Sequence, residues 1–387
     1  MNASTVPISA QVLAWAREEA GFTQVELAER VQIDAARVED WENAKSNPTK
    51  GQFSKLVKVL KRPSALFFLP EPPTDAGMPT SFRRAQGSAN RKLSPKETNQ
   101  IRWARRLQEL TAWVLQDTGA PRVELNRYQT NQNPTKAAIR ERSNSSISTP
   151  DQLAWQNLSV AFREWRGHLE EQGVLVVQLS MGKNNIRGFG AWNDYVPMVA
   201  VNTAYHPTAR IFTLFHEVAH LLTRIDAACQ DFVTPTEEDQ SVERWCERYA
   251  ATFLLPKEAV EKVAATKYGV TNASPTADAD TARYLANRFS VSARAMAIRL
   301  QEIGLAVPAL YSTVVSELAA RDWNDTSGGG GDESACQKRI RALGTPLSAT
   351  LFTALDRGRI TTRDLADHLA LNTGQLDDLK VLLNESR

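Results

Sequence analysis

The chain has 387 residues, 42% of them apolar and 23% charged, with a formal net charge of +2. That length holds two or three packed domains, and the composition is extreme enough neither for disorder nor for a membrane-embedded chain. So small a net charge does not by itself call for nucleic acid, and local charge has to decide the partners.

Three cysteines, Cys229, Cys246 and Cys336, lack Cys-x-x-Cys spacing, which points to a reducing compartment. The opening MNASTVPISAQVLAW shows no signal-peptide pattern, and no apolar run nears the roughly 20 residues of a bilayer span. The expectation is a cytoplasmic protein with no membrane partner.

Residues 7–70 read as short helices joined by tight turns and closing at PSALFFLPEPP. Within them, TQVELAERVQIDAARVEDWEN has the layout of a helix-turn-helix. Thr23 and Glu26 make a capping box. Leu27, Ala28 and Val31 face inward on the first helix, and Val38 and Trp41 on the second. The outward positions of that second helix are Ala35, Ala36, Arg37, Glu39 and Asp40, a poor set beside the Arg, Lys, Gln and Asn of base readers. Gln24, Arg37, Arg83 and Arg84 are the candidate DNA contacts. Pro and Gly mark 73–93 as a linker, and from Arg83 to Arg106 eight basic residues meet a single acid, Glu97. With Phe82 and Trp103 interleaved, that stretch suits either a grip on single-stranded nucleic acid or a solvated helix face.

A helical pattern runs from Ser94 to about Asp117, with Ile101, Leu107, Leu110, Trp113 and Val114 near helical spacing. Another opens at Thr149 or Asp151 and carries Leu153, Trp155, Leu158, Phe162, Trp165 and Leu169. GVLVVQLS, RGFGAW and VPMVAVN read as strands, 208–305 as helical, GGGG at 328–331 as a flexible junction, and 336–387 as a small helical unit. No repeat with a fixed period is visible. The fold class expected is α+β and mostly helical. A helix-turn-helix bundle spans 1–72 and the linker 73–93; a body with a short sheet spans 94–306, and a Gly-rich junction with a helical unit spans 307–387.

The chemistry concentrates in ARIFTLFHEVAHLLTR. Residues four apart on a helix are separated by about 400°, so His216 and His220 lie one turn apart on nearly one face and can share a zinc ion. Glu217, rotated by about 100°, misses the ion but can meet a water on it and act as general base. A catalytic zinc needs a third protein ligand and an open position. The helix SVERWCERYAATFLLP offers Glu243 and Glu247 beside an apolar stripe of Val242, Trp245, Cys246, Tyr249 and Phe253. Glu237, Glu238 and Asp239 near its start complement the helix dipole. Cys246 reads as a small buried hydrophobe. His206 and Tyr249 are candidate stabilisers of a tetrahedral oxyanion. Zinc is the expected cofactor, with manganese or another divalent ion admitted by the same ligands.

RGFGAW, VPMVAVN, RIFTLFHEVAHLL and VERWCERYAATFLLP, in that order, resemble the ImmA/IrrE family of metallo-endopeptidases. The head is similar to Xre-type helix-turn-helix domains. The resemblance implies a small gluzincin-like fold with His216, His220 and Glu243 as zinc ligands and Glu217 as general base. Glu247, where the family commonly has asparagine, keeps a second ligand open. The resemblance also implies an edge strand beside the cleft, placed at Val196–Asn202, and a helix-turn-helix repressor of stress-response or mobile-element genes as substrate. The alternatives are a DNA-binding regulator with a structural or sensory metal, and an interaction protein of a toxin–antitoxin or phage-defence system.

Overall fold

The computed structural model describes residues 5–73, 82–83, 93–224, 237–320 and 333–385. Arg84, Arg91, Lys92, Cys229 and GGGG at 328–331 lie outside them, as do the side chains of Phe82, Arg83, Glu237, Glu238 and Asp239. The chain divides into two compact units, 1–78 with 88–103 and 79–87 with 104–387.

In the first unit, α1 (Ala10–Glu19), α2 (Gln24–Val31), α3 (Ala35–Glu42) and α4 (Lys50–Leu60) enclose a core that includes Leu13, Leu27, Val31, Val38, Trp41, Leu56 and Phe67. Thr23 accepts from the Glu26 amide and Glu26 accepts from that of Thr23, which fixes the start of α2. Gln32 ends it in the left-handed region at φ 64, so α3 turns back across α2. Arg17 donates to Glu42 at 2.6 Å and ties α1 to α3.

The second unit opens with β1 (Phe82–Arg83), followed by α5 (Pro95–Asp117), within which the division between the units falls. The inward line of α5 includes Ile101, Leu107 and Val114, but Trp113 is 47% exposed, because it sits off that line. Then come α6 (Pro134–Ser143), α7 (Thr149–Ala154) and α8 (Leu158–Glu171). The single helix expected across Leu153–Leu169 is two. Trp155 is extended, and Asn157 restarts the helix by accepting from the amides of Ser159 and Val160.

β2 (Leu175–Leu179), β3 (Gly188–Ala191) and β4 (Met198–Asn202) form the sheet, ordered β1-β3-β4-β2. β4 lies parallel to β2 and antiparallel to β3, and all five of its residues are buried. The strand expected at the edge is therefore an interior one. An unbroken apolar run marks a strand covered on both faces, and MVAV at 198–201 is such a run. The outer side of β3 pairs with β1, Phe82 opposite Phe189.

Against this sheet packs α9 (Pro207–Thr223), followed by α10 (Glu237–Leu254), α11 (Lys257–Tyr268), α12 (Ala279–Phe289), α13 (Ala293–Glu302) and α14 (Leu310–Ala320). The tail adds α15 (Ala335–Leu343), α16 (Thr345–Asp356), α17 (Thr362–Leu369) and α18 (Thr373–Glu385). Arg166 fastens α15 to the sheet by donating to the carbonyls of Val176 and Arg341, both at 2.7 Å. Mostly helical with a small sheet, the architecture agrees with the class expected. Among the described residues no helix is long and apolar enough to cross a membrane.

Candidate metal centre

α9 starts with Pro207 in its first turn, where the missing N–H costs nothing. His206 caps it, its ring accepting from the Thr208 amide. From Thr213 to Thr223 every residue is buried. On this helix the Nε2 atoms of His216 and His220 come within 3.2 Å of each other.

α10 supplies the third group. Glu243 places Oε2 3.2 Å from His216 Nε2 and Oε1 3.3 Å from His220 Nε2. The imidazoles are buried while the Glu243 side chain is 46% exposed, so the cluster meets solvent on its carboxylate side. A tetrahedral zinc with nitrogen and oxygen ligands at about 2 Å spaces neighbouring ligand atoms about 3.3 Å apart. The two imidazole nitrogens have that spacing, and each lies as close to one oxygen of the Glu243 carboxylate, Oε2 for His216 and Oε1 for His220. They fit a zinc ion with a fourth position left over.

Among the described residues, His216, His220 and Glu243 form the one cluster of this kind. Glu247, four residues further along α10, is exposed and outside it. Burial pushes the Glu243 carboxyl upward, but hydrogen bonds from both imidazoles outweigh it and hold the group below the usual carboxylate range. Cys246, fully buried beside His220, has its thiol pushed up by burial and stands as a small wall of the site.

Glu217 is completely buried. It lies against β3, and two glycines that the sequence reading took only as strand residues make room for it. A Cβ on Gly188 would stand 2.5 Å from Thr213 Cγ2 and 2.6 Å from the Ala200 carbonyl oxygen. One on Gly190 would stand 3.2 Å from the Glu217 carbonyl oxygen and 3.6 Å from its Oε2. Residues two apart share a face of a strand, so these glycines leave one face of β3 bare for the helix. The signal was present in RGFGAW: alternate glycines in a strand mark a close approach of backbone.

The other expected residues sit elsewhere. His206 is at the head of α9, ten residues and about 15 Å of helix from His216. Tyr249 is stacked between Trp245 and Phe253 with its hydroxyl pKa raised by burial, and stands about 240° around α10 from Glu243. Gln24 is tied to Glu42 at 2.8 Å, and Arg37 is exposed on α3.

Residues 169–301 match the family described as the IrrE N-terminal-like domain, and residues 13–67 match the helix-turn-helix family. A curated relative, the radiation response metalloprotease IrrE of Deinococcus deserti, is 27% identical over 205 residues. The aligned stretch covers 52% of this chain and 65% of that protein, just short of two thirds of the relative's length. The chain thus carries an IrrE N-terminal-like domain, with His216, His220 and Glu243 inside it, behind an N-terminal helix-turn-helix domain.

Proposed function

We propose that this chain is a zinc-dependent endopeptidase that cuts a helix-turn-helix transcriptional repressor and so controls stress-response or mobile-element genes. The observation that carries the reading is the meeting of two imidazoles and the Glu243 carboxylate at 3.2–3.3 Å, with Glu217 buried next to His216 on the same helix. The metalloprotease name of the Deinococcus relative supports it.

His216, His220 and Glu243 would hold the ion. When bound, zinc supplies Lewis acidity, polarising a scissile carbonyl and acidifying water. Glu217 enters as a carboxylate, takes a proton at a carboxylate oxygen as water attacks the peptide carbonyl, and returns it to the departing amine nitrogen. Leu214, Phe215 and Val218, buried around these groups, keep bulk water from the rear of the site. Glu243, held ionised, keeps both imidazoles oriented. The same ligands accept manganese.

The test incubates wild type and Glu217→Gln, at matched zinc content, with any helix-turn-helix protein found to be encoded beside this chain. Cleavage by the wild type alone is expected, and equal cleavage by both would remove the mechanism. A second reading, a DNA-binding regulator, draws on the helix-turn-helix head with exposed Arg37. Salt-sensitive binding to its own promoter, with no partner cut, would favour it.

A further inference from the structure

Three stretches of the chain share one sequence pattern and one turn. Leu27, Ala28, Val31, Ile33 and Asp34 recur as Leu285, Ala286, Phe289, Val291 and Ser292, and again as Leu365, Ala366, Leu369, Leu371 and Asn372. In each, the residue ending the first helix is left-handed without being glycine: Gln32 at φ 64, Ser290 at φ 57 and Ala370 at φ 50. In each, the next amide donates back across the turn at 3.0 Å, Ile33 to Ala28, Val291 to Ala286 and Leu371 to Ala366.

The tail copy follows the head furthest. Thr361 and Asp364 make the same capping box as Thr23 and Glu26, and α17 has the eight-residue length of α2. Leu376 and Leu379 are buried on α18 where Val38 and Trp41 are buried on α3. Upstream, Leu351 and Ala354 are buried at the places of Leu13 and Ala16. We propose that residues 345–385 are a second helix-turn-helix unit, and that the outer face of α18 docks a protein with a basic surface.

The middle copy has its second helix locked in the body. Met296, Ala297 and Leu300 of α13 are buried, and Arg299 donates to the Leu255 carbonyl at 3.0 Å. α18 is different. Gly374, Asp377 and Asp378 are exposed, and Val381 is 56% exposed. Their spacing puts them on one helical face. Asp377 and Asp378 stand in register with Glu39 and Asp40, so the second helix of both units carries acid at the same two positions. A carboxylate pair where a helix would enter a groove repels phosphate and finds no complement among most base edges. The same pair, with an uncovered aliphatic residue beside it, suits lysine and arginine side chains on a protein surface. Lys380, the nearest cation on α18, is paired with Asp356 at 2.5 Å. The whole chain, at net charge +2, gathers no polycation by bulk charge. The docking face does not depend on the peptidase reading, since binding is measured without cleavage.

The experiment uses fluorescence anisotropy on the full chain, with labelled poly-L-lysine of about 30 residues and a labelled 30-base-pair duplex as probes, at near-physiological salt. Wild type is expected to bind the polycation. Asp377→Lys with Asp378→Lys is expected to weaken that binding by about tenfold, and reversal of the exposed acids Glu124 and Glu171 by less than about twofold. The Asp377→Asn, Asp378→Asn pair, checked by circular dichroism for an unchanged fold, is expected to fall between them. Equal affinity across all variants would overturn the proposal. So would a duplex whose affinity, and not that of the polycation, changes with Asp377 and Asp378, which would give the face to nucleic acid.

Discussion

Glu243 and Glu247 lie one turn apart on α10, and the residue pattern alone left both open as ligands. In the structure only Glu243 reaches the imidazoles, at 3.2 and 3.3 Å, while Glu247 is solvated. Glu243→Gln is therefore expected to lower zinc affinity by more than the roughly 10–100-fold typical of losing a hydrogen-bond partner of a ligand. Glu247→Gln is expected to leave it within about twofold. Equilibrium dialysis against a zinc buffer reads both, and comparable losses in the two variants would reject the assignment. A further residue-scale prediction concerns Gly188, whose missing side chain lets α9 settle on β3. Gly188→Ala would drive a methyl against backbone and side-chain atoms at 2.5–2.6 Å. Overpacking of this kind costs about 1–3 kcal/mol, seen as a lower midpoint in urea. Gly190→Ala, whose nearest contact is at 3.2 Å, is expected to cost less. If the order were reversed, the close approach of helix and strand would be wrong.

At the scale of elements, helices with a strong one-sided pattern were legible. The stripe Val242, Trp245, Cys246, Tyr249 and Phe253 is buried as read, and His216 and His220 meet because helix geometry alone brings residues four apart together. Breaks and neighbours were harder. Trp155 and Leu158 keep helical spacing across a chain that Asn157 interrupts, since periodicity reports which side is apolar but not whether the backbone is continuous. The position of β4 in the sheet depends on pairing with β2 and β3, which local sequence does not encode. The repeated turn escaped notice because its copies are unevenly spaced and only five positions recur. Those turns make their own prediction. A non-glycine residue in the left-handed region costs about 1–2 kcal/mol, and glycine gives back about 0.5–1 in chain entropy. Ala370→Gly is thus expected to stabilise the tail by about 0.5–1 kcal/mol. Gln32→Gly should gain less in the head, because Gln32 also accepts from Lys55 at 2.9 Å. A thermal melt in which either glycine is clearly destabilising would contradict the turn geometry.

For the whole molecule, the two compact units have separate cores, and they are expected to differ in their dependence on a metal. The three donors come from α9 and α10, both inside the larger unit. A ligand that binds only the folded form stabilises by RT ln(1 + [L]/Kd), about 2.7 kcal/mol at a hundredfold excess over Kd. In a body of this size 1 kcal/mol moves the melting temperature by about 1.5–2 °C, so the shift should be about 4–5 °C. The head has no share in that binding energy, and its transition should stay in place. Calorimetry of the full chain, with zinc buffered near a hundred times Kd and again after chelation, separates the two. The tail should move with the body, because Arg166 and Gln178 both donate to the Arg341 carbonyl and join α15 to the sheet. Arg166→Ala should uncouple it, giving a third, metal-insensitive transition at lower temperature. If chelation instead shifted the head's transition as far as the body's, the metal would be stabilising more than the site between α9 and α10.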